Sequence, residues 1–153
     1  MKVLMVCLGN ICRSPLAHGI LERKVKEAGL NWTVDSAGTA AYHVGELPDP
    51  RSIEVAAKHG LDITYQRARQ FVEEDFSRFD KIIVMDKQNY TNVTALATSA
   101  EDIKKVSLLL NYHPSMNGME VPDPYYGGDE GFQQVYEMVE TACEHFIKNY
   151  EHQ

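Results

Sequence analysis

The apolar positions fall into two kinds of run. Residues 2–6 (KVLMV) and 81–85 (KIIVM) are almost continuously apolar over a strand's length, which suits strands buried on both faces of a parallel sheet. Residues 32–36 (WTVDS) and 105–110 (KVSLLL) read as two further strands. Between them the period becomes helical. Leu16, Ile20, Leu21 and Val25 share one stripe, opened by Ser14-Pro15 as N-cap and first helical residue and closed by Gly29. Asp49-Pro50 opens a second helix, with Ile53, Ala56 and Ala57 inward and Gly60 at its end. After a Pro- and Gly-containing stretch at 112–131, a last helix is expected from near Asp129. Its stripe is Phe132, Val135, Tyr136, Val139, Ala142, Cys143 and Phe146.

Short strands alternating with helices, without a repeat or a linker, predict one α/β domain over residues 1–153. The expected architecture is a four-stranded parallel sheet with helices on both faces, doubly wound in the flavodoxin-like manner. In such sheets ligands bind beyond the carboxyl ends of the strands, so the turn CLGNICRS after the first strand lies where a ligand would.

Composition narrows the function classes. The 153 residues suit one domain, and 15 basic against 22 acidic residues give a formal charge of −7. That balance argues against a general nucleic-acid binder and leaves room for a small positive pocket. Three cysteines do not make a disulfide framework. The N-terminus has no signal-peptide cleavage region, and no apolar run approaches the ~20 residues that span a bilayer. The expectation is a cytoplasmic protein with neither membrane nor nucleic acid as partner. The Asn-x-Thr patterns at Asn31, Asn89 and Asn92 are then read as chance.

The turn carries the chemistry. A helix N-terminus offers unpaired amides and the positive end of a dipole. Gly9 and Asn10 tolerate left-handed backbone angles, so Leu8-Gly9-Asn10-Ile11-Cys12-Arg13 can curl its amides toward one centre and bind phosphate. Arg13 adds a planar fork of donors matched to two phosphate oxygens. Cys7, at the floor of the cup, would be favoured there as a nucleophilic thiolate. Ser14 can donate a hydrogen bond to it. Asp123, between Pro122 and Pro124, is a candidate acid for the leaving oxygen and then a base for water, although Pro-Asp-Pro also reads as a plain turn. Tyr125 and Tyr126 are either walls of an aromatic slot or ordinary loop tyrosines. A metal is disfavoured: Cys7 and Cys12 lack zinc spacing, and His18, His43, His59, His113, His145 and His152 are scattered. Nucleotide loops are disfavoured because GK[ST] and GxGxxG are both absent.

Cys7-Leu-Gly-Asn-Ile-Cys-Arg13-Ser14-Pro15 resembles the N-terminal signature of the low-molecular-weight protein-tyrosine phosphatase family, and Asp123-Pro-Tyr-Tyr-Gly127 resembles its acid loop. Val34-Asp-Ser36, Pro48-Asp-Pro-Arg51, Ala68-Arg-Gln70, Phe79-Asp80 and Met85-Asp86 match in order, so the resemblance spans nearly the whole chain. It implies Cys7 as nucleophile, Arg13 as phosphate binder, Asp123 as acid and base, and Ser14 as support for the thiolate. It implies that Asn10 and Ser36 hold the loop, that Leu8, Ile11, Tyr42, Tyr125 and Tyr126 line the entrance, and that Cys12 forms a protective disulfide with Cys7. No cofactor is implied. The implied partners are a phosphotyrosine protein or small aryl phosphate, with inorganic phosphate as product and inhibitor. Two departures stand out: Gln66 lies where many eukaryotic members have a loop-buttressing His, and Tyr42 lies where some have Trp.

Three rival readings share the loop. Protein-arginine phosphatases resemble this chain but carry Thr where Ile11 stands. Thioredoxin-coupled arsenate reductases need further cysteines, and none lies between Cys12 and Cys143. A non-catalytic phosphate-binding module would have no need of both Cys7 and Asp123.

Overall fold

A computed structural model describes residues 1–126 and 128–151, with the side chains at 126, 128, 129 and 151 outside the description. β1 (Lys2–Cys7) is buried at every position after Lys2, which explains its lack of alternation. It pairs in parallel with β2 (Thr33–Gly38) on one side and β3 (Lys81–Val84) on the other. β4 (Val106–Leu108) joins β3, giving the order β2-β1-β3-β4. The expected four-stranded parallel sheet is therefore present, with shifted bounds. β2 runs on to Gly38, and β4 ends early because Leu109–Tyr112 tightens into a 3-10 turn that buries Leu109 and Leu110.

Helices cover both faces. On one, Val3, Met5 and Cys7 pack with Leu16 and Ile20 of α1 (Arg13–Glu27) and with Val135, Val139 and Phe146 of α6 (Gly128–Glu151). On the other, Leu4 and Val6 meet Phe71, Phe76, Phe79 and Val93, the last from α4 (Lys87–Thr94). The expected α6 stripe from Phe132 to Phe146 is buried throughout. Burial pushes the Cys143 thiol up to about 12, as befits an inert core residue.

Three expectations need correction. Ser14 is not the cap of α1: the cap position is Cys12, without a side-chain bond, and Ser14 and Pro15 lie in the first turn, where a missing proline N–H costs nothing. In α2 (Pro50–Lys58), capped by Asp49, the buried residues are Ser52, Val55 and Ala56, while Ala57 is exposed. The helix is rotated so that the Ser52 hydroxyl reaches the Cys12 carbonyl at 3.2 Å. Finally, α3 (Asp75–Arg78), α4 and α5 (Ala100–Lys104) were not anticipated; they are too short and polar to show a stripe. Among the described residues, no helix is long and apolar enough to cross a membrane.

Candidate active site

The loop from Cys7 to Arg13 leaves β1 at its carboxyl end, beside the ends of β2 and β3. Four of its carbonyls are tied to neighbouring segments. Cys7 O and Leu8 O accept from Thr39 N and Ala40 N at 2.9 Å, Ile11 O accepts from Asp49 N at 2.8 Å, and Cys12 O accepts from Ser52. Among the described residues, the amides of Leu8 through Cys12 donate to no protein acceptor. A loop with four of its carbonyls engaged and its donors unclaimed, at an uncapped helix start, is a cradle for an anion. Asn10, with φ of 58°, is the loop's one left-handed residue. Gly9 lies close under the His43 ring, where a Cβ would sit 3.1 Å from it and push the ring aside by a few tenths of an ångström. Gly38 admits the loop, since a Cβ would lie 2.8 Å from Leu8 O.

Asn10 organises the cup. Its Oδ1 accepts from the Arg69 amide at 3.0 Å, which can only donate, so Nδ2 must face Ser14, donating to Oγ at 2.8 Å. The Ser14 hydroxyl hydrogen is then left for Cys7 Sγ, 3.1 Å away. Arg69 is itself held by a two-pronged ion pair to the fully buried Asp75, at 3.0 and 3.1 Å, and by Asp35. Position 66 carries no imidazole here; the buried Gln66 donates to Pro15 O at 3.0 Å and steadies the start of α1. The Ser36 hydroxyl, expected to hold the loop, meets His18 Nδ1 at 3.0 Å instead. Hydrogen bonds from His18 and Tyr65 keep the Glu22 carboxyl below its ordinary value against partial burial.

Arg13 is almost wholly buried. Its Nη1 donates to Asp86 Oδ2 at 2.7 Å and to Val121 O at 3.0 Å, while Nη2 stands 3.7 Å from Asp123 Oδ2. Burial works against the cation, but Cys7, Asp86 and Asp123 together hold the guanidinium above its ordinary pKa. Met85-Asp86 is visible in the sequence as the end of an apolar strand, but nothing local announces the pairing of Asp86 with Arg13. Asp86 closes β3 and also caps α4 in a reciprocal box with Asn89. Asp123 Oδ1 accepts from the Tyr125 amide at 3.0 Å, which aims the half-exposed carboxyl over the cup.

These groups enclose a cavity of about 220 Å³, floored by Cys7, Cys12 and Arg13. Leu8, Gly9, Ile11, Tyr42, His43, Asp123 and Tyr125 form its walls. Tyr42 is 76% exposed, whereas Ile11 is only 9% exposed. Tyr126 lies outside the described side chains. His43 was passed over as one of several scattered histidines. Cys12 shares the floor with Cys7, and both are free thiols. Burial, aided by Asp49 and Cys7, raises the Cys12 thiol well above its ordinary value.

Comparison with known proteins agrees with this geometry. Residues 2–153 match the family described as low molecular weight phosphotyrosine protein phosphatase. The low molecular weight protein-tyrosine-phosphatase of Streptomyces coelicolor is 45% identical over 145 residues, covering 92% of this chain and 88% of that one. A crystal structure of a protein tyrosine phosphatase from Entamoeba histolytica superposes with a TM-score of 0.94 at 37% identity, covering 99% of this chain and 97% of that one. An arginine phosphatase from Drosophila gives 0.91 at 36% identity, covering 98% of each. The chain belongs to the low molecular weight phosphotyrosine protein phosphatase family.

Proposed function

We propose that residues 1–153 form one cytoplasmic phosphatase domain that hydrolyses phosphotyrosine through a cysteinyl-phosphate intermediate. The observation that supports this reading is a loop whose amides have no protein acceptor among the described residues, lining one cavity together with Cys7, Arg13 and Asp123. A phosphate dianion in the cup is met by the amides of Leu8 to Cys12 and by the Arg13 fork. The Cys7 thiolate, stabilised by the Ser14 hydroxyl, attacks phosphorus in line. The bond to the tyrosine oxygen breaks as Asp123 delivers a proton to it, and phosphocysteine remains. Asp123 then takes a proton from water, which attacks phosphorus and releases inorganic phosphate and the thiolate. Charge on the equatorial oxygens is stabilised by donors already in place, so electrostatic preorganisation is the main source of rate.

The low, apolar Ile11 wall and the exposed Tyr42 and Tyr125 suit an aryl group above the cup. The likeness to the Drosophila arginine phosphatase makes phosphoarginine the competing substrate. Phosphate release from phosphotyrosine, phosphoserine and phosphoarginine peptides separates them: the tyrosine ester is expected to be preferred, and preference for phosphoarginine would overturn that choice.

Asp86 supports a further expectation. Asp86→Ser retains a capping oxygen but removes the ion pair to Arg13, whereas Asp86→Ala removes both. Both are expected to lower kcat/KM by roughly 10- to 100-fold, the value of a hydrogen bond to a charged group. Only the Ala variant should also lose about 1 kcal/mol in urea denaturation. Full activity in the Ser variant would show that Arg13 needs no help from Asp86.

Peroxide should oxidise the Cys7 thiolate to a sulfenic acid. The Cys12 thiolate then attacks that sulfur and displaces hydroxide, leaving a disulfide that thiols reverse. Because the Cys12 pKa is raised, its thiolate is scarce at neutral pH and increases as pH rises. Linking after a peroxide pulse should therefore accelerate between about pH 7 and 9. A peptide map with the two cysteines unjoined, or a rate flat in pH, would contradict this.

A further inference from the structure

The mouth of the cavity holds a pair that the mechanism does not use. His43 Nδ1 lies 2.5 Å from Glu46 Oε2, with the two side chains 30% and 59% exposed. Backbone bonds fix the turn that carries them: Glu46 N to His43 O at 2.9 Å, Gly45 N to Ala68 O at 2.8 Å, and Ala68 N to Glu46 O at 2.9 Å. Gly45, with φ of 85°, takes the left-handed position the turn requires. The same 68–69 segment holds Asn10 through the Arg69 amide, so the turn and the phosphate loop share one anchor. The ring edge remote from Glu46, Cδ2–Nε2, lies against Gly9 at the cavity wall.

A carboxylate only accepts, so Nδ1 carries the proton shared with Glu46. In the neutral ring Nε2 is then an acceptor facing the mouth. Asp123, 37% exposed, and Arg13, paired with Asp86, line the same cavity, and Arg51 is paired with Asp49. On the segment that anchors the turn, Arg69 is paired with Asp75 and Asp35, while Arg67 donates to the Thr64 and Gln66 carbonyls. The His43 side of the rim thus offers an imidazole acceptor with the Glu46 carboxylate behind it, and Asp123 stands on the same cavity.

We propose that the His43–Glu46 pair determines specificity at the mouth, favouring phosphotyrosine peptides that place a cationic donor, arginine or lysine, next to the phosphorylated residue and disfavouring acidic neighbours. The proposal rests on the phosphotyrosine reading above and extends it to the flanking residues. The cup takes the phosphate, Nε2 accepts a donor from the neighbouring side chain, and Glu46 attracts its charge.

The test separates the two readings by measuring binding rather than turnover. Cys7→Ser protein is titrated with labelled phosphotyrosine peptides that differ only in Arg, Ala or Glu immediately before or after the phosphotyrosine. Fluorescence anisotropy is read at about pH 8. The Arg peptides are expected to bind roughly fivefold more tightly than the Glu peptides, the scale of an exposed charged pair. Adding Glu46→Gln, which keeps a group for Nδ1 to bond, or His43→Phe, which keeps an aromatic wall, should bring that ratio close to one. A pair serving only to brace the turn would alter stability and leave the ratio unmoved. Equal affinities, a preference for Glu, or a ratio that survives both substitutions would overturn the proposal. Failure of wild type to release phosphate from any of these peptides counts against the phosphatase reading, while the binding ratio still decides the role of the rim. Absence of binding to all of them counts against both.

Discussion

Cys7→Ser is expected to abolish turnover of every aryl phosphate, lowering kcat by at least ~10⁴-fold, while inorganic phosphate still binds within a few-fold of its wild-type affinity. The substitution removes the one atom that can form the intermediate. A serine hydroxyl stays protonated where a thiol ionises readily, and Ser14, 3.1 Å away, is too weak a donor to change that. The anion cradle is otherwise untouched, because its donors are the amides of Leu8 to Cys12 and the Arg13 guanidinium, held by Thr39, Ala40, Asp49, Ser52 and Asp86. Phosphate binding and turnover should thus come apart cleanly. Residual turnover near wild type would mean that water, not sulfur, attacks phosphorus.

Asp123→Ala is expected to have the second largest effect, and its size should depend on the substrate. For phosphotyrosine the departing phenolate, with a conjugate acid near pKa ~10, needs a proton, and general acid catalysis is worth roughly 10²–10⁴-fold. For an activated nitrophenyl ester that leaves unaided, the first step should slow far less. The carboxyl is placed for this by the Tyr125 amide on Oδ1, while Oδ2 pairs with Arg13 at 3.7 Å, beyond hydrogen-bond reach. Kinetics on a series of aryl phosphates give the check: the sensitivity of kcat/KM to leaving-group pKa should steepen in the variant. A uniform loss across the series would assign Asp123 a binding role instead.

The sequence was most readable where function lies within one turn of chain. Cys7, Arg13 and the Ser-Pro step sit in a single strand-to-helix connection, and the apolar KVLMV run marked the strand that presents them. Pro-Asp-Pro alone reads as a turn, and Asp123 becomes a candidate only because the chemistry at Cys7 calls for an acid; its carboxylate lies on the same cavity, 3.7 Å from Arg13. Groups brought in from afar were not readable. Asp86 reaches Arg13 across 73 residues and Arg69 reaches Asn10 across 59, and nothing in local spacing announces either contact. Gly38 resembles any strand-end glycine until the loop is seen pressed against it. Local rules also erred where two uses competed for one group. Ser14 fits a helix cap, yet its hydroxyl goes to Asn10 and the Cys7 sulfur, and the helix starts two residues earlier and uncapped. Ser36 was matched to a loop-holding role, but His18 takes its hydroxyl.

The account stands on an anion seated in the Cys7–Arg13 loop with sulfur beneath it. A crystal structure of wild-type protein with orthovanadate tests that most directly. Vanadium should be bonded to Cys7 Sγ, with its equatorial oxygens on the Leu8–Cys12 amides and the Arg13 fork, and an apical oxygen facing Asp123. Vanadate bound elsewhere on the protein, or held in the loop with the Cys7 sulfur turned away from it, would contradict the account.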